Sequence, residues 1–214
     1  MQDLVLAGAG GCMRELIWQI QELNKVCPTW KLVGFVDFRK PEDEVYVGNQ
    51  HIPYLGTDEV IIKSDQELNV AICVGSPALR KKIALKYQKN KNVKFPNLIL
   101  SNTYVCEDVE MGQGCIISMD ARISTNVKLG DFVFMNTGSM ICHDGELKDF
   151  VTLSPDAKLA GNVLIEAESE IGLGAKIIQG ITVTNNVIVG AGAVVVRDIK
   201  ESCTAVGVPA KSIK

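Results

Sequence analysis

The sequence predicts a small α/β domain followed by a parallel β-helix. Three observations support this fold class: an apolar residue at every sixth position from Val105 to Val195, a small or β-branched residue four places after most of these, and strand-like segments that alternate with helical ones nearer the N-terminus. A helix requires a period near 3.6 and a half-buried strand a period of about 2. A strict period of six is instead typical of the hexapeptide repeat of a parallel β-helix.

The hexapeptide repeat has no break in register. Each hexapeptide supplies one short strand and one turn, and three of them make a coil whose apolar residues stack along the axis. We therefore expect no long loop to project from the coils. The apolar positions are Val105, Met111, Ile117, Ile123, Leu129, Met135, Ile141, Leu147, Leu153, Leu159, Ile165, Ile171, Ile177, Val183, Val189 and Val195.

Residues 1–96 form the predicted α/β domain, and residues 97–214 form the predicted β-helix. Strands are expected at 2–7, 31–37 and 69–74, and helices at 12–26 and 78–88, which indicates a small parallel sheet. Glycines 8, 10 and 11 follow the first strand. They either let backbone amides bind a phosphate or simply form a tight turn. Met13 occupies the place of the third glycine in the dinucleotide fingerprint, which argues against NAD.

Composition excludes several classes of function. The net charge is −3 and no long basic stretch occurs, which argues against a nucleic-acid partner. The absence of a long apolar run and of a signal-peptide charge pattern predicts a cytoplasmic protein without membrane insertion. Seven scattered cysteines without a C-x-x-C pair indicate free thiols. Only His51 and His143 are present, and one histidine in the repeat is too few for a metal site.

The candidate catalytic residues are His143, Asp144 and Gly161. His143 lies two places after Ile141, where the chain leaves a strand for a corner, so its imidazole is expected to point outward as a general base. Asp144 can hold one ring nitrogen and favour the imidazolium. Gly161 lies three hexapeptides later, so it should sit one coil above His143 and present its N–H to an oxyanion.

These residues also carry a resemblance to a known family. The chain resembles bacterial hexapeptide-repeat sugar acetyltransferases, specifically the enzymes that acetylate UDP-4-amino-sugars or sialic acid, over nearly its whole length. The matching segments are GAGG (8–11), RE (14–15), VGFVD (33–37), ICVGSPALR (72–80), HD (143–144), FVTLSP (150–155), LAGN (159–162) and VGVPAK (206–211).

The resemblance implies a left-handed β-helix and a homotrimer that binds acetyl-CoA between neighbouring prisms. It also implies N-acetylation of a UDP-4-amino-sugar in surface-glycan biosynthesis, by direct transfer with His143 as the base. The residues implied to bind acetyl-CoA are Thr152, Ala160, Gly161, Lys176, Gly207, Pro209 and Lys211. The residues implied to bind the nucleotide sugar are Gly8, Gly10, Gly11, Cys12, Asp37, Phe38, Gly56 and Gly75.

Several alternatives compete with this interpretation. The acceptor could be a hydroxyl of sialic acid or another sugar, and transfer could pass through a covalent intermediate on Cys142. From another class, the chain could be a non-catalytic trimeric binding protein. A three-histidine zinc enzyme and a nucleotidyltransferase fit less well, because the repeat has one histidine and the N-terminal domain has no basic glycine-rich loop.

Overall fold

The structure is a computed structural model that describes residues 1–213, and it divides into two compact units. Unit one comprises Met1–Gly75 and Leu79–Pro96. Unit two comprises Ser76–Ala78 and the chain from Asn97 onward. The predicted fold class is confirmed: a small parallel sheet with helices is followed by a left-handed parallel β-helix.

The N-terminal unit contains one five-stranded parallel sheet in the order β5-β2-β1-β6-β7. A short antiparallel pair, β3 and β4, precedes the edge strand β5. Strand β6 ends at Ile72, two residues before the predicted end. The elements are β1 (Gln2–Ala7), α1 (Gly11–Val26), β2 (Trp30–Val36), β3 (Val45–Val47), β4 (Gln50–Ile52), β5 (Tyr54–Gly56), α2 (Glu59–Ile62), β6 (Leu68–Ile72), α3 (Pro77–Tyr87) and β7 (Val93–Lys94).

Helix α1 contributes one apolar side to the core of this unit. Met13, Leu16, Ile17 and Ile20 recur at helical spacing and are all buried. Each such side chain stabilises the fold by roughly 1.5–3 kcal/mol relative to an exposed position. Met13, which stands where the dinucleotide fingerprint has its third glycine, is fully buried, so its side chain packs into the core at the first turn of α1. The glycine of the dinucleotide fingerprint would instead bring helix and strand close together.

The second unit is built from strands of two or three residues on three faces. From β8 to β21, each strand pairs in parallel with the strand 18 residues further on, as β13 does with β16. The strands are β8 (Leu98–Ile99), β9 (Tyr104–Val105), β10 (Glu110–Met111), β11 (Ile116–Ile117), β12 (Arg122–Ile123), β13 (Lys128–Leu129), β14 (Phe134–Met135), β15 (Met140–Ile141), β16 (Glu146–Leu147), β17 (Thr152–Leu153), β18 (Lys158–Leu159), β19 (Leu164–Ile165), β20 (Glu170–Ile171), β21 (Lys176–Ile177), β22 (Thr182–Val183), β23 (Ile188–Val189), β24 (Val194–Val195), β25 (Thr204–Val206) and β26 (Lys211–Ile213).

The three faces of this prism are three separate sheets. The first has the order β25-β23-β20-β17-β14-β11-β8, with β26 added antiparallel beside β25. The second is β24-β21-β18-β15-β12-β9, and the third is β10-β13-β16-β19-β22. All the sixth-position residues from Ile117 to Val195 are buried in one continuous core. The repeat predicted from the sequence is therefore the repeat of the fold.

Most corners of the prism turn through one residue in the left-handed backbone region. Asn and Asp adopt this region more readily than other side chains, and they occupy many of the corners. Phe132, Phe150 and Glu168 are exceptions, with φ of 55°, 61° and 60°. The rings of the two phenylalanines stack in parallel 5.2 Å apart. The corner residues Asn102, Asp120, Asn126, Asp144, Asp156, Asn162 and Asn186 all have φ between 54° and 61°.

Two buried serines of the prism give a matched test of its stability. Ser139 is fully buried, and within residues 1–213 its hydroxyl has no hydrogen-bond partner. Ser169 is also fully buried, but its hydroxyl donates to the Thr184 carbonyl at 2.9 Å and accepts from the Val187 N–H at 3.1 Å. We expect Ser139→Ala to change the free energy of unfolding by less than about 0.5 kcal/mol, and Ser169→Ala to lower it by about 1–3 kcal/mol.

Denaturant titration of both variants beside the unsubstituted protein measures this difference. Equal losses in the two variants would contradict the hydrogen-bonding assigned to these hydroxyls.

Candidate active site

The corner between β15 and β16 holds the imidazole of His143 in a fixed orientation. Its Nδ1 lies 2.8 Å from Oδ2 of Asp144, the next residue in the chain. The other carboxylate oxygen, Oδ1, accepts a hydrogen bond from Nδ2 of Asn126 at 2.7 Å, from one coil below. The His143 and Asp144 side chains are 61% and 50% exposed, so the imidazole is fixed and yet open to solvent.

The charge of Asp144 determines which imidazole nitrogen carries the proton. Hydrogen bonds from Asn126 and then from His143 lower the pKa of Asp144 below its usual value, so the carboxylate is ionised at neutral pH. An ionised carboxylate can only accept hydrogen bonds. The proton of a neutral His143 therefore lies on Nδ1, and Nε2 is left as a free acceptor. That is the arrangement required of a general base.

Gly161 lies directly against this imidazole. A Cβ added to Gly161 would be 2.4 Å from Cε1, 2.6 Å from Nε2 and 3.0 Å from Nδ1 of His143. The backbone N–H of Asn162 donates to the His143 carbonyl at 2.8 Å, which fixes the two coils in this register. Within residues 1–213, the Gly161 N–H itself donates no hydrogen bond. The repeat-based prediction that Gly161 lies one coil above His143 agrees with this geometry.

The residues predicted to bind a nucleotide sugar lie in the other unit, at the carboxyl edge of its sheet. Gly8 follows β1 and donates to the Val36 carbonyl at 2.8 Å. Asp37 follows β2, and its N–H donates to the Gly56 carbonyl at 3.2 Å. Gly75 follows β6, and its carbonyl accepts from Arg80 Nη1 at 2.9 Å. Ligands of open parallel sheets bind at this edge, outside the carboxyl ends of the strands.

A cleft of about 430 Å³ opens beside Gly8, Asp37 and Phe38. Its far side carries a polar cluster: Asp58 accepts hydrogen bonds from Tyr87 Oη at 2.6 Å and Lys86 Nζ at 2.8 Å. Partial burial acts to raise the pKa of Asp58, but these two hydrogen bonds outweigh it and lower the pKa. Burial first, and then the hydrogen bond to Asp58, raise the pKa of Tyr87. The cluster therefore keeps a charged carboxylate within a largely apolar cleft.

A second cleft, of about 490 Å³, lies beside the glycine-rich turn. Its lining includes the cations Arg14, Arg39 and Lys40 and the carboxylates of residues 42–44. Gly10 lines a smaller neighbouring pocket. The three cations and three carboxylates balance in charge, so any preference of this region for an anion rests on the first N–H groups of α1, which attract negative charge.

Comparison with known proteins identifies the family. Residues 3–87 match the family described as the PglD N-terminal domain. The acetyltransferase domain of PglB from Neisseria gonorrhoeae FA1090 is 31% identical to this chain, with 100% of both chains covered and a TM-score of 0.86. This chain belongs to the hexapeptide-repeat sugar acetyltransferase family. The same PglB domain has been solved in complex with acetyl coenzyme A, at 32% identity over 99% of this chain and 98% of that one, with a TM-score of 0.85.

Another member has been solved with two ligands. GDP-perosamine N-acetyltransferase from Caulobacter crescentus, as a histidine-to-alanine variant in complex with CoA and GDP-perosamine, is 29% identical. That alignment covers 100% of this chain and 98% of that chain, with a TM-score of 0.86. A curated relative, the serine acetyltransferase of Synechococcus elongatus, is 30% identical over 117 residues, which is 54% of this chain and 44% of that protein. The matched segment thus spans less than half of the curated relative.

The structure distributes the predicted acetyl-CoA residues over two faces of the prism. Ala160 adjoins Gly161, and Lys176 is exposed on β21, in the same sheet as β15. Lys176 pairs with Val194, whose N–H donates to the Gly207 carbonyl at 3.0 Å. The C-terminal turn, with Pro209 and Lys211 exposed, therefore lies at the same end of the prism as Lys176.

Thr152 stands apart from this set. It lies in β17 on another face, and its side chain is buried, with 3% exposure in the chain by itself. The position predicted from the resemblance is therefore not part of the surface that carries His143, Gly161 and Lys176 in one chain.

Within residues 1–213, the thiols of Cys12 and Cys142 are not activated by a neighbouring base. Burial raises the pKa of Cys12 to about 11, so this predicted substrate-site residue is a neutral thiol near neutral pH. The Nδ1 of His143 is engaged by Asp144 rather than by Cys142.

Across residues 1–213, no group of three acidic, histidine or cysteine side chains is arranged to hold a metal ion. None of the helices in that range has both the length and the apolar character to cross a bilayer.

Sequence reasoning missed several residues of these sites. Asp58 contacts Lys86 and Tyr87, which lie 28 and 29 positions later in the chain. No local sequence pattern predicts such a long-range contact. Asn126, by contrast, had a signal that could have found it. It precedes Asp144 by 18 positions, so the same repeat that placed Gly161 beside His143 also places Asn126 beside Asp144.

Proposed function

We propose that this chain transfers the acetyl group of acetyl-CoA to the amino group of a nucleotide-linked amino sugar. The observation that carries the proposal is the imidazole of His143, which Asp144 orients through Nδ1 and which lies against Gly161 with Nε2 free. The relatives solved with CoA, acetyl coenzyme A and GDP-perosamine support the two substrates. We place the reaction in bacterial surface-glycan biosynthesis.

The chemical step follows from the positions of these groups. The neutral amine attacks the carbonyl carbon of the thioester, and Nε2 of His143 removes the proton that the nitrogen loses. Asp144 stabilises the imidazolium that results. The N–H of Gly161 stabilises the oxyanion of the tetrahedral intermediate. The C–S bond then breaks, sulfur leaves with the electron pair, and the proton passes from His143 to give CoA as a thiol.

The N-terminal unit supplies the binding site for the nucleotide. Its largely apolar cleft, with Asp37 and Asp58 at its edges, lies beside the glycine-rich turn that follows β1. The first N–H groups at the N-terminus of α1 suit a diphosphate, and an apolar cleft with few polar groups suits a base. The carrier implied by the family resemblance is UDP, whereas the Caulobacter relative binds GDP-perosamine. Amino-sugar nucleotides are therefore the substrate class proposed.

We further propose that the working form is a homotrimer with acetyl-CoA bound between neighbouring prisms. Gly161 and Lys176 lie on one side of a single prism, and Thr152 lies on another face. A cleft formed by two copies would bring two different faces to one ligand. The exposed Lys176 and Lys211 are cations suited to the phosphates of CoA.

The proposal is tested with the purified chain, acetyl-CoA and a panel of acceptors. The panel contains 4-amino sugars linked to UDP, GDP and dTDP, the matching 4-hydroxy sugar nucleotides, free sialic acid and serine. Free CoA is measured by chromatography, because the seven free cysteines would react with a thiol reagent. We expect CoA release with at least one amino-sugar nucleotide, and a product heavier by one acetyl group. No release with any amino-sugar nucleotide would reject N-acetylation.

O-acetylation is the second candidate, and one observation favours it. The curated relatives that match this chain are named serine acetyltransferases, so their acceptor is not an amino sugar. The same His143 and Gly161 geometry can deprotonate a hydroxyl and stabilise the same intermediate. CoA release with a hydroxyl acceptor but none of the amino-sugar nucleotides would select this function.

A further inference from the structure

The corner that carries His143 is supported by side chains from the coils below it. Asp108, Asn126 and Asp144 follow one another at a spacing of 18 residues along one edge of the prism. Asn126 and Asp144 have φ of 54° and 59°, so both are corner residues in the left-handed region. Because the coils stack in register, each of these side chains can contact the corner of the next coil.

Hydrogen bonds fix Asn126 on the side away from Asp144. Its backbone N–H donates to Oδ2 of Asp108 at 3.0 Å, and the hydroxyl of Thr125 donates to the same oxygen at 2.5 Å. The Asp144 N–H donates to the Thr125 carbonyl at 3.2 Å. Two coils are thus joined immediately below the catalytic corner, and the Asn126 side chain extends from a fixed backbone.

The two oxygens of Asp144 have different partners. Oδ1 accepts from Nδ2 of Asn126 at 2.7 Å, and Oδ2 faces Nδ1 of His143 at 2.8 Å. A carboxylate with only one partner can rotate and exchange its oxygens. With both oxygens engaged, the plane of the carboxylate is set, and with it the plane and tautomer of the imidazole.

We propose that Asn126 is a positioning residue for acetyl transfer: through Asp144 it holds His143 in the tautomer and orientation that leave Nε2 free. This inference rests on the proposed function. The neutral amide suits this role because it donates a hydrogen bond without cancelling the charge of Asp144. A lysine in its place would neutralise the carboxylate that supports the imidazolium, and a carboxylate would repel it.

The sharpest test is Asn126→Asp, which keeps the size of the side chain and its tolerance of the left-handed corner but replaces the donor by an acceptor. We expect kcat to fall about tenfold, because the hydrogen bond from Asn126 to the charged Asp144 is lost. The KM for acetyl-CoA should change less than about twofold, because the substitution acts on the orientation of the base and not on the binding of the cofactor. Asn126→Gly removes the side chain without repulsion and also accepts the left-handed backbone. We expect it to lower kcat by a smaller factor.

The control uses Asn186, another exposed corner residue, with φ of 56°. Within residues 1–213 its side chain forms no hydrogen bond, and it lies two coils away from the His143 corner. Asn186→Asp and Asn186→Gly should leave kcat unchanged. A loss of kcat in these variants equal to that of the Asn126 variants would assign the effect to the corner backbone and overturn the proposal.

Two further measurements separate positioning from a purely structural effect. First, the chain has only two histidines, so ¹⁵N labelling of histidine gives a simple spectrum that a His51→Gln variant assigns. We expect His143 to carry its proton on Nδ1 in the unsubstituted protein and partly on Nε2 in Asn126→Asp. An unchanged tautomer together with a reduced kcat would overturn the proposal.

Second, the Asn126→Gly substitution is combined with Asp144→Asn. If Asn126 acts through Asp144, its loss should cost almost nothing further in the double variant. Additive losses would overturn the positioning role and leave the proposed function intact. Full activity of His143→Ala would instead reject the proposed function itself, so the two failures are distinguishable.

Discussion

Replacing His143 by alanine should lower kcat by about 10²–10⁴-fold, the range for loss of a general base. In the proposed mechanism Nε2 of His143 accepts the proton, and the structure holds the imidazole against Gly161 with Nδ1 engaged by Asp144. Because the imidazole is 61% exposed, its removal leaves no cavity in the core, and the melting temperature should not change. Steady-state kinetics at saturating acetyl-CoA, with binding of CoA measured by calorimetry, test both expectations.

The matched control for His143→Ala is His51→Ala. His51 is also exposed, but it lies in the N-terminal unit, where its charged partner is Glu44, 3.7 Å away. The His51→Ala variant should retain the kcat of the unsubstituted protein.

Asp144→Asn should lower kcat by less than His143→Ala, because the amide can still face Nδ1 but carries no charge. An unchanged kcat in His143→Ala would reject the base, and a larger loss in Asp144→Asn would reverse the two roles.

The ionisation of Asp144 also bears on the pH dependence. Its pKa is lowered in the fold, chiefly by the hydrogen bond from Asn126 and then by that from His143. A lowered pKa means that the interaction is present above the normal pKa of an aspartate, and is lost only as the pH falls through the lowered value. The hydrogen bond between Asp144 and His143 is therefore retained across the whole range near neutral pH, and titration of Asp144 should not shape the activity profile there.

The second large effect is expected for Gly161→Ala, which should reduce kcat by at least about 100-fold. The new Cβ would lie 2.4 Å from Cε1 and 2.6 Å from Nε2 of His143, closer than real contacts allow, so the imidazole must move away. A displacement of about 1 Å at a catalytic group can cost a factor of this size. The backbone of Gly161 lies outside the left-handed region, so alanine introduces no backbone strain, and the fold should be kept.

A double variant isolates the cause. In a His143→Ala background the ring is absent, so Gly161→Ala should lower the residual rate by little and should leave the protein as stable as the single variant. Kinetics of the four proteins, with their thermal unfolding, complete the cycle. Normal turnover by Gly161→Ala alone would mean that the imidazole does not lie where the structure places it.

The prism could be predicted because one simple rule governs it throughout. Its core needs an apolar residue at each inward position, so Ile117, Leu147 and Val189 report the same geometry, and counting three hexapeptides forward from His143 gives Gly161 as its neighbour. The N-terminal clefts do not follow from any such rule. Asp58 meets Lys86 and Tyr87 because α3 packs back toward the start of α2, and that packing depends on the whole unit.

The positions implied by the family resemblance differ in where the structure places them. Gly8, Asp37 and Gly75 lie together because each follows a strand of one parallel sheet. Thr152 was expected at the acetyl-CoA site, yet in a single chain it is buried on another face of the prism. In the proposed homotrimer a second copy would face this position, and the periodicity of one copy carries no information about that contact.

The antiparallel pairing of β26 with β25 determines how the stack of coils ends. The last coil of a parallel solenoid would otherwise offer unpaired N–H and C=O groups on which a second molecule could continue the ladder. Lys211 to Ile213 reverse direction and pair with Thr204 to Val206, so this edge is occupied by the protein's own backbone. A further parallel coil therefore cannot pair with β25, and the ladder of this face ends in a strand of opposite direction.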